Sequence, residues 1–123
     1  MILLALPLLA ATGLVPDREP GAPWIKFQAP GQGSVYVDPS SVRDEDGEKV
    51  IRLLDTAETP ATSDIYIDMS VSCPLRRLMI VRLTSATTGE VTTVEPENRE
   101  PADADHPFMR KLIDFVCDGK ALQ

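Results

Sequence analysis

The chain has 123 residues, of which 43% are apolar and 5% aromatic, so it suits one domain with an aliphatic core. Its formal charge of −7 argues against nucleic acid as a partner, because binding to phosphates needs clustered Lys and Arg. The same acidity argues against electrostatic docking on anionic lipid.

The first segment, MILLALPLLAATG at residues 1–13, is predicted to be a secretory signal peptide. Its apolar run at residues 2–11 is too short to span a bilayer, and small residues allow cleavage after Gly13. No Lys or Arg precedes the run, so a buried strand or helix of the domain is the alternative. No cysteine lies near the cleavage position for lipid attachment. We therefore expect a soluble periplasmic or secreted protein with no stable membrane anchor after signal removal.

The next part of the chain predicts a linker and three strands. Residues 14–23 hold three prolines and form the linker, and residues 24–27 are the first strand, anchored by Trp24. Residues 34–38 are the second strand, which Asp38 and Pro39 close before the chain bends. Residues 43–48 are a charged hairpin turn carrying an Asp-Gly pair, and residues 49–55 are the third strand, followed by a polar loop.

Residues 63–73, SDIYIDMSVSC, are the clearest strand, because apolar and polar residues alternate strictly. One face carries Ile65, Ile67, Met69, Val71 and Cys73, and the other carries Tyr66, Asp68, Ser70 and Ser72. This pattern predicts a sheet with one buried face, with Cys73 pointing into the core.

The last part of the chain predicts two more strands, at residues 75–85 and 90–95, then a long exposed acidic loop at 95–106. The segment at residues 107–120 is predicted to form a short amphipathic helix, with Asp105 as its cap, Pro107 in its first turn and Gly119 as its stop. Its apolar stripe consists of Phe108, Met109, Leu112, Ile113, Phe115 and Val116.

Cys73 and Cys117 are predicted to form a disulfide. Both face the space between sheet and helix, and two thiols placed in this way pair in an oxidising compartment. A metal site needs more ligands, and the sequence holds one histidine, His106. A Cys-His nucleophile pair is disfavoured because His106 and Cys117 lie at opposite ends of one helix.

Other candidate sites have simpler interpretations. The acidic run at residues 44–48 is too compact for a calcium loop and suits a solvated hairpin tip. A second candidate cation site lies in the proline-containing loop at residues 95–106, where solvated side chains are the simpler interpretation. Its residues are Glu97, Glu100, Asp103, Asp105 and His106. Ser40 and Ser41 suit a turn. No phosphate loop, dinucleotide fingerprint or nucleophile elbow is present, so we predict no catalytic residue, metal or cofactor.

Three arginines, Arg76, Arg77 and Arg82, form a small basic cluster in an otherwise acidic chain. They are candidates for binding an acidic protein partner. The alternative is pairing across neighbouring strands with Asp68 or Glu90.

Three segments together resemble the surface-adhesin protein E-like family of small exported bacterial proteins. They are SVYVDPSSV at residues 34–42, the strand ending in SC at 72–73, and the helix ending in VC at 116–117. Trp24, about a dozen residues before the VYVDPSSV strand, belongs to the same pattern. The chain departs from it in lacking the cysteine for lipid attachment and a tryptophan between the last strand and the helix.

The resemblance covers residues 24–120 and implies an α+β domain. We expect an antiparallel sheet of about five to six strands with one C-terminal helix packed on it and tied by a disulfide. The implied function is an exported non-enzymatic binding or structural module of the bacterial envelope, adhesin-like and with a protein partner. The alternative is an enzyme accessory protein or a small hydrolase using carboxylates.

Overall fold

A six-stranded antiparallel sheet with one helix packed on it forms the domain. The structure is a computed structural model that describes residues 21, 23–28, 34–56, 64–102 and 105–122. The predicted signal peptide, the linker except Gly21 and Pro23, and the loop at 57–63 lie outside the described residues. The predicted α+β fold is confirmed.

Each strand pairs with the next one in sequence, so the sheet is a meander. The strands are β1 (Ile25–Gln28), β2 (Ser34–Glu45), β3 (Glu48–Thr56), β4 (Ile65–Ser72), β5 (Arg77–Ser85) and β6 (Val91–Thr93). A 3-10 turn (Pro96–Asn98) and helix α1 (Pro107–Asp118) follow.

The core lies between one face of the sheet and α1. Its buried members are Val35, Val37, Ile51, Leu53, Met69, Val71, Leu78, Phe108, Leu112, Ile113 and Leu122. All but Phe108 are aliphatic, as the composition indicates. Leu122 is 4% exposed and lies beyond the predicted boundary at residue 120, so the packed domain extends to it.

Strand β2 does not end at Asp38, contrary to the prediction. It continues to Glu45, with a bulge in which four residues, 39–42, stand opposite Ile51. Asp38 Oδ1 accepts hydrogen bonds from the backbone N–H of Ser40 at 2.9 Å and from its hydroxyl. The Ser41 hydroxyl donates to Asp38 O and accepts from the Arg52 N–H at 2.8 Å. Ser41 thus replaces the ladder partner that the bulge removes.

The Asp-Gly pair makes the predicted hairpin turn between β2 and β3. Asp46 and Gly47 have φ values of 52° and 83°, so both lie in the left-handed region that a tight hairpin with a primed turn requires. The turn is shorter than the predicted residues 43–48, because Arg43, Asp44 and Glu45 belong to β2 and Glu48 to β3.

Helix α1 begins at Pro107, as predicted, but its cap differs from the predicted one. His106, not Asp105, caps α1, because its Nδ1 accepts a hydrogen bond from the Phe108 N–H at 3.2 Å. Gly119 ends the helix in a left-handed conformation, and its N–H bonds Phe115 O at 3.1 Å. The described residues of the acidic loop before the helix are mostly exposed, as predicted, but Ala102 N–H donates to Leu78 O at 2.8 Å and ties this part of the loop to β5.

The prediction of a single buried face was wrong. Asp68 and Ser70, assigned to the solvent face, are 1% and 3% exposed. On the same face, Tyr36, Val50 and Val81 are also buried. A second bulge, where Val81 is the extra residue of β5, bends the sheet there. The sheet curls towards this face and covers it with its own side chains. We call it the coiled face; its buried residues include Tyr36, Val50, Asp68, Ser70 and Val81.

Candidate functional site

An ionic network occupies the coiled face of the sheet, opposite α1. Its centre is Asp68, which receives Arg52 Nε at 2.8 Å, Arg82 Nε at 3.0 Å and Arg43 Nη2 at 3.3 Å. Glu45 is the second carboxylate, and it accepts from Arg43 Nε at 2.8 Å and Arg82 Nη2 at 2.9 Å. Three guanidinium groups thus surround two carboxylates.

Local strand geometry places these groups together. Asp68 stands opposite Arg52 on β3 and Arg82 on β5, so the three side chains form one row across the sheet. Arg43 and Glu45 reach that row from the end of β2, beyond the bulge at residues 39–42. The DPSS turn therefore positions part of the network, in addition to bending the strand.

The network holds both carboxylates in the ionised form. Burial alone would raise the pKa of Asp68, but hydrogen bonds from Arg52 and Arg82 outweigh it and keep the pKa below 3.8. Burial acts in the same way on Glu45, and hydrogen bonds from Arg82 and Arg43 lower its pKa below 4.5. Neither carboxyl group is suited to donate a proton near neutral pH, which requires a raised pKa.

Two aromatic rings extend the network towards β1. The Arg52 guanidinium lies 5.1 Å from the centre of the Tyr66 ring, within range of a cation–π interaction. Trp24 stacks on the same ring with 6.0 Å between centroids. Trp24 is therefore an anchor, as predicted, and its contact is with the coiled face rather than with the helix-side core.

The predicted disulfide is confirmed at the other side of the sheet. Cys73 and Cys117 are bonded, with their Cα atoms 5.6 Å apart. Cys73 begins a turn at residues 73–76 that joins β4 to β5, and Cys117 lies in the last turn of α1. The bond therefore joins this turn to the end of the helix.

Arg76 makes a second tie between the same two elements. Its Nη2 lies 2.6 Å from Asp114 Oδ1 and 3.1 Å from Asp118 Oδ2. Its φ of 51° places it in the left-handed region, which is strained for a residue with a side chain. The guanidinium offsets two acidic residues at the negative end of the helix dipole, where carboxylates are otherwise unfavourable.

The three arginines predicted as a cluster make contacts with different parts of the molecule. Arg76 contacts the helix, Arg82 lies in the ionic network, and Arg77 follows the turn with its Nε buried and without a hydrogen-bond partner in the described residues. The Arg82–Asp68 contact matches the cross-strand alternative. Their role in binding a partner stays a prediction.

The sequence interpretation missed Arg43, Arg52 and Glu45 as network members. A signal was present, because Asp68 is the single charge of its strand and Arg52 is the single charge in the apolar run at residues 50–54. Lone charges in two such strands indicate pairing, since an unpaired buried charge is costly.

The described residues line two grooves. One is a cavity of about 190 Å³ on the coiled face, lined by residues that include Glu48, Ser70, Arg82 and Arg99. The other, of about 320 Å³, lies between the two hairpin ends and is lined by Gly47, Glu48, Lys49, Val71, Ser72, Cys73 and Pro74. Both are below or near the lower end of the size range for drug-sized ligands.

A further carboxyl group was also missed. Burial and then the charge of Asp64 raise the pKa of Asp55, which lies at the end of β3. Neither groove is lined by this pair. In the described ranges, no group of three or more His, Cys, Asp or Glu side chains is arranged to hold a metal ion. Asp103, one residue of the predicted acidic cation group, lies outside those ranges.

Comparison of the chain with protein-family models, curated proteins and solved structures found no match. In the part of the chain that the structure describes, no helix has the length and apolar character needed to cross a membrane.

Proposed function

We propose that the protein is an exported, non-enzymatic binding module of the bacterial envelope, which docks on a protein partner through the turn at residues 73–76. The observation that carries the proposal is Leu75, which is 61% exposed at the tip of this turn. A single exposed leucine is common on protein surfaces. Leu75 differs because the backbone of its turn is fixed to α1.

The turn is held at both of its ends. Cys73 is bonded to α1, and Arg76 is paired with Asp114 and Asp118 of the same helix. Within the turn, Arg76 N bonds Cys73 O at 3.2 Å. A side chain on a fixed backbone loses little conformational entropy when it enters a partner's pocket, so Leu75 is suited to anchor an interface.

Export is supported by the disulfide, because such bonds persist in oxidising compartments. The predicted signal segment at residues 1–13 adds to this argument, and so does the resemblance to an adhesin family. Periplasmic or secreted localisation is part of the proposal.

The absence of enzymatic activity is proposed from how the carboxylates are used. Asp68 and Glu45 converge on Arg82, but their pKa values are lowered, so they act as fixed counter-charges. The alternative, a carboxylate hydrolase, is favoured by one observation: the raised pKa of Asp55 beside Asp64. Loss of a hydrolytic activity in Asp55→Asn would support that alternative.

A pull-down from envelope extracts tests the docking proposal. Protein lacking residues 1–13 is immobilised in three forms: unchanged, Leu75→Ser and Val91→Ser. Val91 is the matched control because it is also an exposed apolar residue, at 54%, but lies on edge strand β6. We expect one partner to be recovered by the unchanged protein and by Val91→Ser, and lost with Leu75→Ser. Recovery by Leu75→Ser, or no partner with any form, would overturn the proposal.

A further inference from the structure

One of the three arginines predicted to bind a partner has a charge that the described fold leaves unused. Arg76 is paired with α1, and Arg82 belongs to the ionic network. Arg77 is half-buried and makes no hydrogen bond or ion pair with any described residue. Its Nε is buried, and buried N–H groups are normally hydrogen-bonded. The guanidinium of Arg77 is therefore partly removed from water without a counter-charge in the described ranges, which is unfavourable in the free protein.

A second donor lies beside Arg77. Ser72, the last residue of β4, stands directly opposite Arg77, the first residue of β5. Residues opposite each other on neighbouring strands project from the same face, with their Cβ atoms about 5 Å apart. Ser72 Oγ accepts from the Leu75 N–H at 3.4 Å, and no described oxygen accepts from its hydroxyl. A guanidinium and a hydroxyl are thus both available to an acceptor at the base of the turn that carries Leu75.

The surroundings of these donors define the acceptor. A guanidinium with a neighbouring hydroxyl suits a carboxylate, which is ionised and accepts several hydrogen bonds. Glu48 lines the same groove as Ser72, but no ion pair joins it to Arg77 in the part of the chain that the structure describes. Its charge, and the formal charge of −7 on the whole chain, disfavour an acidic stretch in this place. The site therefore fits a single carboxylate with apolar surface beside it.

We infer that a single Asp or Glu side chain of the partner protein pairs with Arg77 and Ser72, while Leu75 enters an adjacent apolar pocket of the same partner. This inference rests on the proposed function, because it names the chemistry of the partner that docks on the turn at residues 73–76. Part of the Arg77 guanidinium is already removed from water, so its pairing with a carboxylate requires less further desolvation than pairing by a fully exposed cation.

A titration of the unchanged protein tests the carboxylate site without the partner. The probe is N-acetyl-L-glutamic acid α-amide, which carries one carboxylate, and the uncharged control is N-acetyl-L-glutamine amide. NMR follows the Nε–Hε signals of the arginine side chains at constant ionic strength. We expect saturable shifts of Arg77 and of the Ser72 amide, at least about five-fold larger than those of Arg110. Arg110 is the reference because it is 61% exposed. Equal shifts at the two arginines, or with the two probes, would overturn the inference.

The pull-down from envelope extracts supplies the second measurement. Arg77→Gln should reduce recovery of the partner about ten-fold, whereas Arg110→Gln should recover it as the unchanged protein does. Arg77→Gln removes no hydrogen bond to a described residue, so we expect an unchanged midpoint of thermal unfolding. Full recovery by Arg77→Gln, with loss in Leu75→Ser, would overturn the carboxylate contact and leave the docking proposal standing. Selective shifts of Arg77 with no partner recovered by any form would support the carboxylate site and overturn the docking proposal.

Discussion

Arg82 on β5 bonds Glu45 on β2 at 2.9 Å, although β3 and β4 lie between these strands. Three strand spacings on a flat sheet would separate β2 from β5 by about 14 Å. The contact therefore depends on the coiling of the sheet, which brings the end of β2 over the coiled face. Asp68 is buried and bonds Arg82 as well, so the network links strands that only the curved sheet brings together. The network therefore stabilises the curvature of the sheet.

Asp68→Asn should destabilise the protein substantially. The change keeps the shape of the side chain, but it leaves Arg52 without a carboxylate partner among the described residues and leaves Arg43 and Arg82 with Glu45 alone. Breaking a buried ion pair costs about 3–5 kcal/mol, and partial exposure of the arginines reduces the expected loss to about 2–3 kcal/mol. Urea denaturation measures it. Asp44→Asn is the control, since the Asp44–Lys49 pair is exposed and should contribute under about 0.5 kcal/mol. Equal losses would show that the network contributes nothing special.

Acid should weaken the fold through the same carboxylates. The pKa of Asp68 is held below 3.8 and that of Glu45 below 4.5, so the unfolded state binds more protons in that window. Their contribution to stability is complete above about pH 5 and is lost as pH falls through the folded-state pKa values. Urea unfolding at a series of pH values measures this loss. The decline should be shallower in Asp68→Asn, and an unchanged slope would contradict the assignment.

Asp55→Asn should have the opposite effect and stabilise the protein at neutral pH. Burial, and then the charge of Asp64, raise the pKa of Asp55 above 3.8, so the folded state binds more protons than the unfolded state. This group therefore reduces stability as pH rises from 3.8 through its folded-state pKa, and the penalty is complete at neutral pH. Thermal unfolding at neutral pH tests this, with the exposed Glu97→Gln as control. A lower midpoint for Asp55→Asn would refute it.

Ser41→Ala should cost more than Ser40→Ala, although the two serines are neighbours. The Ser41 hydroxyl accepts from the Arg52 N–H inside the sheet, whereas the Ser40 hydroxyl bonds an exposed Asp38 oxygen. An unsatisfied buried N–H costs about 1–3 kcal/mol, and we expect less than about 0.5 kcal/mol at Ser40. Urea denaturation of the two variants gives both values, and the reverse order would exclude this role for Ser41.

Reduction of the disulfide should release the helix first. The bond closes a loop with a sequence separation of 44, for which chain entropy gives about 4 kcal/mol. Hydrogen exchange with and without reductant measures the order of opening. Faster exchange should begin in residues 108–117 and spread to residues 65–73. Uniform rates in both states would mean that apolar packing alone holds α1.

The sequence predicted the elements well where one local pattern decided them. Strict alternation around Met69 predicted β4, the Asp46–Gly47 pair predicted the hairpin, and helical spacing around Leu112 predicted α1. These signals are local because strand and helix periods are read over a few residues.

The coiled face could not be predicted in the same way. Alternation assigned Asp68 to solvent, and its burial depends on bulges in β2 and β5 that no local pattern marked. The partners of Asp68 include Arg43, 25 residues earlier in the chain. Charge pairing over such separations is set by register and curvature, so it is known only when the strands are placed.

The meander has a consequence for the order in which the protein assembles. Each strand pairs with the segment made just before it, so the sheet can grow as the chain emerges with its N-terminus first. Cys117 follows every strand, whereas Cys73 precedes β5 and β6. The disulfide therefore cannot form until the segments of all six strands have emerged. Oxidation is then a late step in assembly, and it does not direct the pairing of the strands.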